Sequence, residues 1–105
     1  MQKKSLPEWL ILWIWRALLG EIYPDIRAIA VRFTKKRELT IRLYLDREPT
    51  ENDYENISYI TANILSNTSS NDEITAVNEE AVFTQKEIGY LDVLDGLVYA
   101  RKEYF

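Results

Sequence analysis

Two neighbouring runs of period-two alternation constrain this chain more than any other feature. From Ile26 to Phe33, Ile29, Val31 and Phe33 fall on one side, with Ala28, Ala30 and Arg32 on the other. From Leu39 to Asp46 the pattern is cleaner: Leu39, Ile41, Leu43 and Leu45 alternate with Thr40, Arg42, Tyr44 and Asp46. Successive strand side chains point to opposite faces, so each run is a strand with one face in a core. The link between them, Thr34-Lys35-Lys36-Arg37-Glu38, is short and polar and predicts a hairpin. A hairpin cannot bury its apolar face alone, so other elements must cover it.

Helical patterns lie on both sides of the hairpin. The first covers residues 6–20: Ser5 can cap it, Glu8 follows three residues later, Pro7 is tolerated in a first turn, and Gly20 marks the end. Between Trp9 and Leu19 only Arg16 is not apolar. Trp9 and Trp13 share a face with Leu12 and Arg16, while Ile11, Trp15 and Leu18 share another. The apolar run is bracketed by Glu8 and Arg16 and is far shorter than the ~20 residues a bilayer span needs. No small-residue cleavage site follows it, so a secretory leader is not expected either. These features predict a cytoplasmic protein with no membrane partner.

The second helix starts at Pro49-Thr50 and ends near Ser66. Tyr54, Ile57, Thr61 and Ile64 recur at helical spacing, widened by Ile60 and Leu65. Ser66–Asn71 is a polar loop by composition. Glu73–Glu80 and Ala81–Phe83 lean towards strand but are irregular. Leu97–Tyr104 reads as a terminal strand, with Leu97, Tyr99 and Arg101 opposite Val98 and Ala100. The expectation is one domain, residues 1–105, of the α+β class. It is a two-layer sandwich with an antiparallel sheet, helices on one face, and the order α-β-β-α-β-β. The other sheet face, with Arg32, Thr40, Arg42 and Tyr44, is expected to be solvated.

The chain has no histidine and no cysteine. That removes the commonest general base, the commonest metal ligand, disulfides and thiolate zinc sites. Its three glycines are isolated, so no phosphate-cradling loop is present. Asp92-x-x-Asp95-Gly96 offers carboxylates but lacks the ligand alternation of a calcium loop, and turn or cap roles suit it better. Adjacent acids such as Glu79/Glu80 or Asp72/Glu73 diverge to opposite faces of a strand and cannot converge on one substrate. No catalytic residue, cofactor or metal site is assigned, and a binding protein is expected rather than an enzyme.

Charge is the remaining signal. The net charge is −4, but residues 46–95 hold twelve acids against two bases. Acids in the first turn of the second helix complement its macrodipole, which accounts for part of the excess. The near absence of bases is what a surface steering a basic partner requires, and it argues against direct binding to nucleic acid. Asp46, Glu48, Glu51, Asp53 and Glu55 are the candidate partner-binding residues. Trp9, Trp13 and Arg16 form a second candidate contact, for a homodimer or for a partner, since exposed tryptophan is a frequent interface anchor.

Three stretches carry a family resemblance. They are Ala17–Ile29, containing Leu19-Gly20-Glu21-Ile22 and Pro24; Arg42–Glu55, containing Asp46-Arg47-Glu48-Pro49-Thr50-Glu51; and Val98–Glu103, ending Arg101-Lys102-Glu103. The pattern resembles colicin-like bacterial immunity proteins carried beside polymorphic toxins, including those of contact-dependent growth inhibition. The resemblance implies a non-catalytic cytoplasmic protein. It would bind its cognate toxin, often a nuclease, and cover the active site or hold the substrate surface away. Interfaces vary between such proteins, so the contact residues named above rest on charge alone. Two other readings stay open. One is a small homo-oligomeric adaptor or regulatory domain using the tryptophan-rich helix. The other is a small-molecule-binding or enzymatic α+β domain, which needs a pocket of convergent polar groups.

Overall fold

A computed structural model describes residues 6–66 and 73–103. The elements are α1 (Glu8–Leu18), β1 (Ile26–Phe33), β2 (Glu38–Leu45), α2 (Glu51–Leu65), β3 (Ala76–Phe83), a 3-10 turn (Ile88–Tyr90) and β4 (Gly96–Ala100). The α+β class and the hairpin stand as expected. The sheet does not. Its strand order is β3-β2-β1-β4, and β3 runs parallel to β2, so the sheet is mixed. The connection explains this. Parallel neighbours need a crossover of a dozen or more residues, and α2 supplies one. Its fifteen residues carry the chain back along the sheet, so β3 starts at the end where β2 started. At ~1.5 Å per helical residue and ~3.3 Å per strand residue, the helix and the strands are matched in length.

Both helices cover one sheet face. Leu10, Ile14, Ala17 and Leu18 of α1, and Ile57, Ile60 and Ile64 of α2, pack on Ile29, Val31, Leu39, Ile41, Leu43 and Leu45. The predicted inward faces of β1 and β2 are therefore the true ones. The middle of the expected α2 stripe, Ile57, Ile60, Thr61 and Ile64, is buried, and the stripe differs only at its ends. Asp53 lies on the buried side with Ile57, Ile60, Thr61 and Ile64, whereas Tyr54 and Leu65 are exposed. α1 is shorter than expected, with Pro7 at its N-cap, and Ser5 lies outside the described residues. Gly20 ends this region with φ +80°, the left-handed conformation that favours glycine after a helix.

The opposite face is solvated only in part. The segment from Thr84 to Asp95 straps across it, and Leu91, Ile88 and Leu94 pack on Ala28, Ala30, Tyr44 and Leu97. The small side chains of Ala28 and Ala30 let the strap approach the sheet. The Tyr44 hydroxyl donates to the Asp92 carbonyl at 2.7 Å. Thr40 and Tyr44 are buried, Arg42 is partly covered, and only Arg32 of the four stays exposed. Asp92 serves a turn, accepting the backbone N–H of Leu94, whereas Asp95 accepts the backbone N–H of Phe33 and ties the strap to the end of β1. β4 also departs from plain alternation. A bulge between Ala30 and Ile29 pairing turns Val98 and Tyr99 both towards the helix core, leaving Leu97 on the strap side.

Candidate partner-binding face

The five predicted acids meet two different fates, decided at the start of α2. Asp53 is 1% exposed. It occupies the third helical position after Thr50, and its Oδ2 accepts the Thr50 backbone N–H at 2.7 Å, the backward half of a capping box. Arg47 donates to both carboxylate oxygens, at 2.7 and 3.0 Å. The Tyr23 hydroxyl donates to Oδ1. Arg47 also reaches Asp25 at 2.7 Å. The bidentate Arg47 bond, first among the causes, holds the Asp53 carboxyl far below the usual carboxylate range. Burial, reinforced by the bond to Asp53, raises the Tyr23 phenol well above its usual value. This knot ties the loop after α1, the loop after β2 and the first turn of α2 together.

Asp46 is tied as well. It accepts from Arg101 at 2.8 Å. Arg101 also donates to Glu103, whose carboxylate is held mainly by the buried Arg27 at 2.7 and 2.8 Å. That bonding lowers the Glu103 pKa to about 2. Further along the acid-rich segment, Glu80 pairs with Arg42 at 2.7 Å, and Glu79 accepts from Ser58 and Thr61 of α2. Much of the charge asymmetry visible along the chain is therefore consumed by pairing inside the fold.

Glu48, Glu51 and Glu55 remain exposed. Glu51 and Glu55 lie on the outward side of α2 with Tyr54, Ser58, Tyr59 and Ala62, around a shallow open depression of about 580 Å³. Tyr59 is 66% exposed. All six lining residues come from one helix, so the depression is a surface contour and not an enclosed ligand pocket. Among the described residues no group of three or more acids could hold a metal ion. Tyrosines flanked by carboxylates suit a protein surface: the ring supplies apolar area at low entropic cost, and the hydroxyl stays wet.

Position counts too. β1 and α2 begin, and α1 and β2 end, at one end of the sheet, where Glu21, Asp25, Glu48 and Glu51 gather. The opposite end carries the hairpin tip with Lys35, Lys36 and Arg37, all exposed. The hairpin tip is thus basic, whereas the end at the start of α2 sets these acids beside Arg27, Arg47 and Arg101.

The tryptophan pair divides differently from expectation. Trp13 is partly buried against the core, and Trp9 stacks edge-on to it at 4.7 Å and to Phe33 at 5.7 Å. The outward stripe of α1 is instead Leu12, Trp15 and Arg16 with Glu8, extended by Leu19. Residues 12, 15, 16 and 19 sit one helical turn or two apart, opposite the buried 10, 14, 17 and 18.

Residues 7–103 match the MafI2 immunity protein family. The match spans nearly the whole chain. The chain belongs to the MafI2 immunity protein family. No curated protein matches it. Family membership supports the toxin-neutralising function and a cognate toxin as partner, the coarser part of what the sequence resemblance implied. Among the described residues of this immunity protein, no helix is long and apolar enough to cross a membrane.

Proposed function

We propose that this immunity protein is a non-catalytic inhibitor. It binds a basic, nucleic-acid-cleaving toxin in the cytoplasm and occludes its substrate surface with the outward face of α2. The observation that carries this reading is the meeting of exposed Glu51 and Glu55 with exposed Tyr54 and Tyr59 on that face, with Glu48 exposed in the loop before it. A nuclease must attract phosphates, so its active surface is cationic. Carboxylates on a rigid helix offer it a phosphate-like charge pattern without a bond to cleave. The tyrosines supply the desolvated anchors that charge alone does not. Asp53 and Asp46 act behind this face: the first fixes the entry of α2, the second secures the loop before it. The proposal also places the toxin in a polymorphic system of the contact-dependent kind, encoded beside this chain.

The test is co-expression with the toxin domain of the neighbouring reading frame. The wild-type chain is expected to rescue growth. Glu51→Lys/Glu55→Lys is expected to lose rescue and to slow association ~10–100-fold, the range of electrostatic steering. Full rescue and an unchanged association rate with the double variant would remove α2 as the docking face.

A further inference from the structure

We propose that the outward stripe of α1 is a self-association surface, occupied by α1 of a second copy of this chain running antiparallel to it. The stripe is unusual for a surface helix. Trp15 is 55% exposed and Leu12 46% exposed, and Trp9 lies on the same flank as Arg16. Large apolar residues grouped in this way mark contact surfaces. Its charges identify the occupant. Glu8 stands one helical step of eight residues before Arg16, with Leu12 midway between them. Both Glu8 and Arg16 are exposed, and neither has a partner among the described residues.

An antiparallel pairing centred on Leu12 sets Leu12 against Leu12 of the second copy. It brings Glu8 of each copy level with Arg16 of the other, ~12 Å apart along the helix within one chain and opposed between chains. The two-fold axis makes this pair twice. The same geometry lays the second copy's Arg16 beside Trp9, a favourable site for a guanidinium. The helix dipoles are also opposed rather than aligned. A stripe with one acid, one base and apolar residues between them is complementary to itself. A basic toxin finds no net charge here to select it, in contrast to the α2 face. One three-turn helix buries less than the ~1,200 Å² of a standard interface, so the dimer is expected to be weak and to form in the micromolar range.

Sedimentation velocity of the full chain across the micromolar range tests this. The mass is expected to rise from one chain towards two. Arg16→Glu is expected to weaken association about tenfold, by opposing like charges at both ends of the seam. The swap Glu8→Arg/Arg16→Glu is expected to restore it, because both pairs are regenerated with signs reversed. Leu12→Asp is expected to abolish the dimer while circular dichroism is unchanged. A strictly monomeric profile, or a swap no tighter than Arg16→Glu alone, overturns the proposal. So does a monomeric chain whose toxin affinity falls on Leu12→Asp, since the stripe would then belong to the toxin.

Discussion

Asp53 shows how little a residue's charge says about its use. It lies among acids that are all plausible partner contacts by composition, yet its carboxylate joins Arg47, Tyr23 and Thr50. The one sequence signal that separates it is its place three residues after Thr50, where a carboxylate reaches back to cap a helix. Asp53→Asn keeps the shape but loses the charge, and is expected to cost ~1–3 kcal/mol by weakening the charge-assisted bonds made at this buried position. Urea denaturation at neutral pH measures that loss. Glu103 behaves in the same way, held by Arg27. Both carboxylates have folded values below their unfolded ones. Their contribution is therefore complete above the ordinary carboxylate range and is lost as protons bind on acidification. For Glu103 the window runs from 4.5, its ordinary value, down to about 2. The urea midpoint of the wild type is expected to fall across that window, and Glu103→Gln to flatten the slope. An unchanged slope would mean that the Arg27 bond does not persist in solution.

At the scale of elements, the strap from Thr84 to Asp95 is the feature least visible in the sequence. Its leucines are spaced too irregularly to signal helix or strand, and its contacts are made to alanines far away in the chain. The clue was in β1: alanine at 28 and 30 leaves room for another layer, where a solvated strand would carry larger polar side chains. Ala30→Leu is expected to overfill this contact and cost ~1–3 kcal/mol. The strap should loosen first, because the helix core lies on the other side of the sheet. Limited trypsin digestion is the measurement, with faster cleavage after Lys86 than in the wild type while β1 and β2 stay protected from hydrogen exchange. The mixed sheet is also a matter of elements. Strand, fifteen-residue helix and strand in succession is the pattern of a parallel crossover, and only the irregular composition of β3 concealed it.

At the scale of the whole molecule, the exposed Glu48 and Glu51 at the start of α2 and the bases of the hairpin tip lie at opposite ends of the sheet, with Arg27, Arg47 and Arg101 sharing the end of the acids. Lys35→Glu/Lys36→Glu, at the far end, is expected to leave the final affinity for the toxin within about twofold, since the contact face is untouched. A large loss of affinity measured by calorimetry would move the docking surface to the hairpin. The sequence by itself determined the apolar faces of β1 and β2, the two helices and the absence of histidine or thiol chemistry. These follow from local periodicity and residue type, which need no knowledge of distant neighbours. Only the tertiary structure decided which carboxylates are free, which face of α1 meets water, and that the second sheet face is partly covered. Pairing energy depends on distance through space, and the bases that neutralise Asp46, Asp53 and Glu80 are brought there by the fold rather than by proximity in the acid-rich segment alone.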